Sequence, residues 1–482
     1  MRDMILIVDH QHEFSRMIAR KLRAERFYCR VVPGDMTPEQ LRAQEASGIV
    51  LAGGLRGEMP TPAQVAACEG VLALELPVLA MGDASLALLC ALGGRVGDAF
   101  VQGQALTIRY ADIPVFDGLG AGERWLAQAR EVDLPAEVTP VAGCDAGTVA
   151  FGHSHRPVYG VQFQVEQNDP DGMAILSNFA QRICRCTPWW STEAFIERGK
   201  AEIVAEAEGG RALCAVSGGV DSTVCALLAH LALGERMQAL VLDNGLLREG
   251  EAQATFEMLS NLDVDTARMD VTAQTFEALR GLTDWDAKRR AVVGVMHRAM
   301  DAFAGALDGA SILLQGTNYS DITIGHVPDT AGSRLRTLLP LRELFKDEVR
   351  RVAEQLGLPV EVARRQPFPA AGLAMRIAGE TTPERVRMLR AADAVFAAEI
   401  REAGQERRLT RFYPTLVSGA PFGWTGEVIV LHAAHASDSR MVPARLPYDL
   451  TERVAGRIVR EVPGVSRVLY DLTPGGVRAE GA

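Results

Sequence analysis

The sequence predicts an α/β protein in which two successive sheet-and-helix units are closed by a smaller α+β piece. Short β-rich runs alternate with helical periodicity from Met4 to about Thr187, a second such rhythm begins at Arg211, and the character changes beyond Gln366-Pro-Phe-Pro369. A chain of 482 residues is long enough for two or three domains, each with its own core. In the first unit, apolar runs predict strands over 5–8, 49–52, 77–81 and 158–163, and helical periodicity covers 13–23, 63–72, 86–92 and 172–184. That βαβ rhythm implies a mainly parallel sheet. Pro188-Trp-Trp-Ser191 reads as a junction, with Ser191 capping a helix over 192–208. The second unit follows as strand 211–216, helix 223–232, strand 239–242, helices 250–259 and 284–303, and strand 311–314. The closing piece is a helix over 383–403, then strands 428–432 and 467–471 flanking a helix over 449–461.

The composition, 48% hydrophobic and 23% charged with no low-complexity run, is that of a soluble globular protein. A net charge of −11 with no basic block argues against a nucleic-acid partner, so small-molecule chemistry is expected. Apolar runs such as Gly48-Ile-Val-Leu-Ala52 fall far short of a membrane span, and the N-terminal residues enter a strand without a secretory pattern. The expected compartment is the cytoplasm. Eight cysteines are scattered singly except for Cys184-Arg-Cys186, which is too tightly spaced for a zinc knuckle, and all are expected to be reduced.

The chemistry is concentrated at Ser217-Gly218-Gly219-Val220-Asp221-Ser222, a glycine turn between an apolar strand and an apolar helix. Two glycines let the backbone approach a polyanion, the first helical amides point at it, and two hydroxyls add donors. The expected guest is the phosphate chain of ATP. A Gly-Lys-Ser/Thr ending that would grip the β- and γ-phosphates is missing, so the loop suits attack at the α-phosphate with expulsion of pyrophosphate. Taken alone, such a turn is also an ordinary strand-to-helix connection.

Further segments give the loop a context. The chain resembles GMP synthetase, the two-step amidotransferase that adenylates xanthosine monophosphate and displaces AMP with ammonia drawn from glutamine. The resemblance rests on the loop, on Val241-Leu242-Asp243-Asn-Gly-Leu-Leu-Arg248, on Asp284-Trp-Asp-Ala-Lys-Arg-Arg290, on Gln315-Gly316-Thr317 and on Leu341-Arg-Glu-Leu-Phe-Lys346-Asp-Glu-Val-Arg350, all in the family's order. Near the N-terminus, Ile18-Ala-Arg-Lys-Leu-Arg23, Gly48-Ile-Val-Leu-Ala-Gly-Gly54 and Gly160-Val-Gln-Phe163 look like a class I glutaminase. Leu446-Pro-Tyr-Asp449 and Val468-Leu-Tyr-Asp471 resemble the family's dimerisation domain. The resemblance implies a class I glutamine-amidotransferase-like domain over 1–188, an adenine-nucleotide α-hydrolase-like ATP pyrophosphatase domain with a parallel sheet over 189–382, and a small α+β dimerisation domain over 383–482, hence a homodimer. It also implies ATP and Mg²⁺ as cofactors. Residues 217–222, Leu242, Asp243, Gln315, Gly316, Thr317 and Lys346 then hold the nucleotide, with Asp221 and Lys346 as catalytic groups and Asp221 as the metal ligand. Lys346 on its own also reads as a solvated helix lysine, and Asp243 as a turn aspartate. Arg289 and Arg290 face either the phosphates or solvent.

Two departures from the family pattern shape the functional expectation. Glutamine hydrolysis needs a thiolate on a strained strand-to-helix elbow, a histidine and a carboxylate. The nucleophile position is Gly82 and the histidine position is Gln164, so only Glu166 remains of the three. Cys90, two helical turns beyond the elbow, reads as core, and Asp83 or Ser85 as minor alternatives. The expectation is no ammonia from glutamine, with free ammonia or another amine as nucleophile. The acceptor site also differs. The family's Pro-Gly-Pro-Gly turn is Phe368-Pro-Ala-Ala-Gly372, its His-His-Asn-Val-Gly-Gly loop is His326-Val-Pro-Asp-Thr-Ala-Gly-Ser333, its Pro-Val-Arg is Pro414-Thr-Leu416, and its Lys-Pro-Pro is Gly475-Gly-Val477. Arg376 and Asp438 remain as candidate acceptor contacts. Each charge-assisted bond to a phosphate contributes roughly 1.5 to 3 kcal/mol, so losing two weakens binding of a 5′-monophosphate by orders of magnitude. ATP activation is therefore expected to be retained on a purine-like acceptor, xanthosine monophosphate or a related molecule, with the same activation of a different acceptor or by a different nucleophile, or an ATP-binding scaffold without catalysis, as the alternatives.

Overall fold

A computed structural model describes residues 3–10, 12–54, 58–163, 170–323, 335–363, 368–369, 371–437 and 440–473. The chain divides into two compact units, Met1–Phe195 and Ile196–Ala482.

The first unit is built on a nine-stranded sheet. Its order is Cys29–Pro33, Ile5–Asp9, Gly48–Ala52, Val78–Met81, Val158–Val161, Gly147–His153, Val138–Cys144, Arg95–Tyr110 and Gly122–Asp133. The first five pair in parallel and the remainder join antiparallel. Ile5–Asp9, Gly48–Ala52 and Val78–Met81 are buried along their whole length, which is why their sequences are continuous apolar runs rather than alternating ones. The four antiparallel strands extend the expected parallel sheet. Arg95–Tyr110 and Gly122–Asp133 are largely solvent-facing and mix polar, glycine and apolar residues without a continuous apolar run, so periodicity does not reveal them.

The second unit contains a five-stranded, wholly parallel sheet in the order Thr266–Asp270, Met237–Asp243, Arg211–Val216, Ala310–Leu314 and Arg336–Leu338. Arg211–Val216 is central, so the turn that leaves its C-terminal end lies where open α/β sheets bind their ligands. The final segment forms a second sheet: Arg411–Ser418, Glu427–Ser437 and Arg440–Pro443 run antiparallel, and Val465–Tyr470 joins Glu427–Ser437 in parallel. Helices Pro383–Glu402 and Tyr448–Glu461 cover it. One apolar core joins this segment to the parallel sheet, since Leu246, Leu279 and Val292 cluster with Leu373, Leu389, Phe396, Leu416 and Ile458. All eight cysteines are free thiols. Among the described residues no helix is long and apolar enough to cross a membrane.

Candidate active site

Strand Arg211–Val216 delivers the chain to Ser217, and helix Val220–Leu233 begins three residues earlier than the sequence suggests. Gly218 lies at φ +82°, a conformation open to glycine, and Gly219 is the N-cap without a side-chain cap. The first intrahelical bond runs from the Thr223 amide to Gly219 O at 3.1 Å, so the amides of Val220, Asp221 and Ser222 precede the helical ladder and face the site. The two serines hold the turn: Ser222 Oγ donates to Gly219 O at 3.1 Å and accepts from the Ser217 amide at 3.2 Å. Gly316 is seated against the first turn, where a methyl group would lie 2.5 Å from the Asp221 carbonyl carbon and 2.6 Å from the Ser222 nitrogen. Thr317 beside it is buried. The Gln315 amide donates to Leu338 O at 3.1 Å, which fixes this segment to the edge strand.

Lys346, the first residue of helix Lys346–Gln355, forms an ion pair with Asp221 Oδ2 across 125 positions of sequence. The other carboxylate oxygen, Asp221 Oδ1, is buried and accepts no hydrogen bond among the described residues. A buried carboxylate oxygen with spare acceptor capacity beside a phosphate-binding turn is the donor type that Mg²⁺ takes, so this residue fits the expected metal. Asp243 stands at the end of the neighbouring strand, where its carboxylate accepts from Arg268 Nη2 at 2.8 Å and from the Gly245 amide at 3.1 Å. The Leu242 side chain is in the core, which leaves its backbone as the part able to meet a ligand. Arg289 pairs with Asp286 at 3.6 Å and lies over Trp285, while Arg290 is exposed.

Of the candidate acceptor contacts, Arg376 is buried, bonds to Asp393 Oδ1 at 3.4 Å and is sandwiched between the rings of Phe368 (5.0 Å) and Tyr413 (4.6 Å). Its guanidinium is thus engaged by protein groups. Tyr413 in turn stacks on His432 at 4.9 Å, whose Nδ1 lies 3.1 Å from Asp471 Oδ2 and whose Nε2 lies 3.0 Å from Thr415 Oγ1. Burial holds the imidazole below its ordinary value, against the opposing pull of Asp471, and Arg376 pushes in the same direction as burial. His432 is an ionisable group that sequence reasoning did not single out. Asp438, residues 326–333 and residues 475–477 lie outside the described residues.

In the first unit Gly82 occupies the elbow between strand Val78–Met81 and helix Asp83–Ala91 at φ 59°, ψ −136°. The strained turn is present and its side chain is absent. Gly53 allows the close approach, since a methyl group there would lie 2.2 Å from the Ala84 nitrogen. Ser85 is buried, with its hydroxyl donating to Gly82 O at 2.7 Å, and the Asp83 amide donates to Gly54 O at 2.7 Å. Burial pushes the Cys90 thiol up, away from the thiolate a nucleophile needs. Gln164 and Glu166 lie outside the described residues.

Taken together, the chain is an amidotransferase-type unit followed by an ATP-pyrophosphatase-type sheet. Residues 6–183 match the family model for glutamine amidotransferase class-I, and residues 193–385 match that for NAD synthase. Over its length the chain is similar to the GMP synthase [glutamine-hydrolyzing] of Thermomicrobium roseum, at 36% identity over 98% of this chain and 95% of the relative. It is likewise similar to the enzymes of that name from Symbiobacterium thermophilum, at 34% identity over 98% and 97%, and Caldanaerobacter subterraneus, at 32% over 98% and 97%. The chain belongs to the GMP synthase family.

Proposed function

We propose that the protein is an ATP-dependent ligase that adenylates a carbonyl oxygen of a purine-like acceptor, releases pyrophosphate and lets free ammonia or another amine displace AMP. The observation that carries the activation step is the convergence of the Ser217–Ser222 turn, Gly316 and Lys346 on one strand end. In this reading the helix amides and hydroxyls orient the phosphates, and Lys346 moves from Asp221 to the leaving pyrophosphate. Asp221 would hold the Mg²⁺ that accompanies ATP, which supplies charge neutralisation at the phosphates. Residues 1–188, 189–382 and 383–482 serve as a silent glutaminase-like domain, the ATP pyrophosphatase domain and a dimerisation domain.

Gly82 supports the ammonia reading: an elbow without a side chain forms no acyl-enzyme, and Gln164 offers no base. A second reading, the same activation applied to a different acceptor, is favoured by the commitment of Arg376 to Asp393 and by Leu416. Pyrophosphate release, measured with ammonium and a panel of purine nucleotides, nucleosides and bases, tests both. Release dependent on xanthosine monophosphate supports the first, and release dependent on another acceptor supports the second. Release that needs no acceptor contradicts the ligase reading.

A further inference from the structure

The segment that leaves strand Met237–Asp243 is held on the two sides of its backbone by different parts of the protein. Its amides are tied to the strand end: Gly245 N–H donates to Asp243 Oδ1 at 3.1 Å, and Leu246 N–H to Asn244 Oδ1 at 3.0 Å. Its carbonyls are tied to residues far along the chain. Gly245 O accepts from Arg390 Nη2 at 2.7 Å, Leu246 O from the Leu373 amide at 2.8 Å, and Leu247 O from Arg390 Nε at 2.9 Å. Three consecutive carbonyls are therefore fixed from outside the parallel sheet, two of them by one guanidinium.

The fit is close. Gly245 lies at φ +73°, and a methyl group at Gly372 would lie 2.5 Å from Leu246 O, so the turn at 372 is pressed against the segment. Arg248 closes the arrangement by donating to Asp393 Oδ2 at 3.1 Å, on the same helix, Pro383–Glu402, that carries Arg390. Bonds from a charged donor are stronger than neutral ones, and the planar fork of arginine can reach two acceptors where a lysine offers a point charge. The helix thus grips the backbone just beyond Leu242 and Asp243, the strand end that the family resemblance sets against the nucleotide.

We propose that Arg390 is a positioning residue for the nucleotide site: by holding Gly245 O and Leu247 O it sets the path of the chain beyond Asp243, and with it the affinity for the adenine nucleotide. It touches no reacting atom and acts through the backbone of residues 244–248. The inference rests on the nucleotide reading, and the two are separable by experiment.

The test uses the full chain and isothermal titration with α,β-methylene-ATP and Mg²⁺, alongside thermal melting, on wild type, Arg390→Met, Arg390→Lys and Leu389→Ala. Leu389 is buried in the core on the same helix and makes none of the hydrogen bonds that hold the segment, so its truncation lowers stability while leaving those bonds in place. Loss of two charge-assisted bonds in Arg390→Met is expected to weaken binding about ten- to a hundredfold, with Arg390→Lys intermediate and Leu389→Ala binding like wild type at a lower Tm. Wild-type affinity in Arg390→Met overturns the proposal, as does a loss in Leu389→Ala that tracks its Tm in the same way. Should Arg390→Met fail to fold, Arg390→Lys decides alone: intermediate affinity at wild-type Tm supports the proposal, and unchanged affinity overturns it. Failure of the wild type itself to bind the analogue sinks the nucleotide reading, a result distinct from a wild type that binds and an Arg390→Met that is indifferent.

Discussion

Replacing Lys346 by methionine separates a catalytic role from a structural one, because the local physics predicts opposite sizes for the two effects. Lys346 opens a helix, where the positive end of the macrodipole disfavours a cation, while Asp221 sits in the first turn of another helix, where a carboxylate is favoured. The ion pair joins side chains 34% and 19% exposed, a partly solvated setting in which such pairs contribute about 1 kcal/mol or less. Removing the lysine loses that attraction but relieves about 0.3–1 kcal/mol of unfavourable dipole interaction, so folding stability should change by less than about 1 kcal/mol. Turnover should respond very differently. A preorganised charge aimed at developing negative charge contributes roughly 3–4 kcal/mol, so pyrophosphate release should fall about 10²- to 10³-fold. Denaturant titration gives the first quantity and a coupled pyrophosphate assay under saturating ATP the second. A rate within about threefold of wild type would refute the assignment of Lys346 to the leaving group.

Lys288 offers a pH prediction. It is buried, donates from Nζ to Ile377 O at 2.7 Å, and burial, with Arg385 adding to it, lowers its pKa from 10.5 to about 8. Between those values the unfolded chain binds more protons than the folded one, so stability should rise with pH across this window, by up to about 3 kcal/mol. In Lys288→Met that rise should vanish, and denaturant melts at pH 7.5 and pH 10 check it. Gly316→Ala drives a methyl group into backbone that cannot yield, and should weaken ATP binding at least about tenfold while costing about 1–3 kcal/mol of stability, measured by titration and melting. Gly82→Cys places a side chain at φ 59° and should cost about 1–3 kcal/mol, yet form no glutamate from glutamine, because position 164 still lacks a base.

What could be read in advance follows the range of the forces involved. Strands buried on both faces, such as Ile5–Asp9 and Arg211–Val216, announce themselves as apolar runs, and the glycine turn marks its anion site because the need for φ above zero is local. The empty elbow at Gly82 was likewise visible in one residue. The start of helix Val220–Leu233 was not, because a glycine N-cap with no side-chain bond leaves no signature distinct from a turn. Long-range pairings were the least legible. Family resemblance put Lys346 and Asp221 at one site but not in contact with each other, and the His432–Asp471 contact exists only because Val465–Tyr470 adds in parallel to Glu427–Ser437. No short window of sequence records that pairing. Arg390 is hidden for the same reason, as an arginine on an amphipathic helix reads as solvated until its partners, two carbonyls in another element, are placed.

On the reading proposed above, ATP is split between its α- and β-phosphates at the turn 217–222 while the first unit stays silent. Phosphorus NMR of the full-length protein with ATP, Mg²⁺ and acceptor, supplied with either ammonium or glutamine, addresses both halves in one measurement. The expected result is AMP and pyrophosphate with ammonium and an aminated product from that nitrogen source alone. ADP and inorganic phosphate as products, or amination supported equally by glutamine, would contradict it.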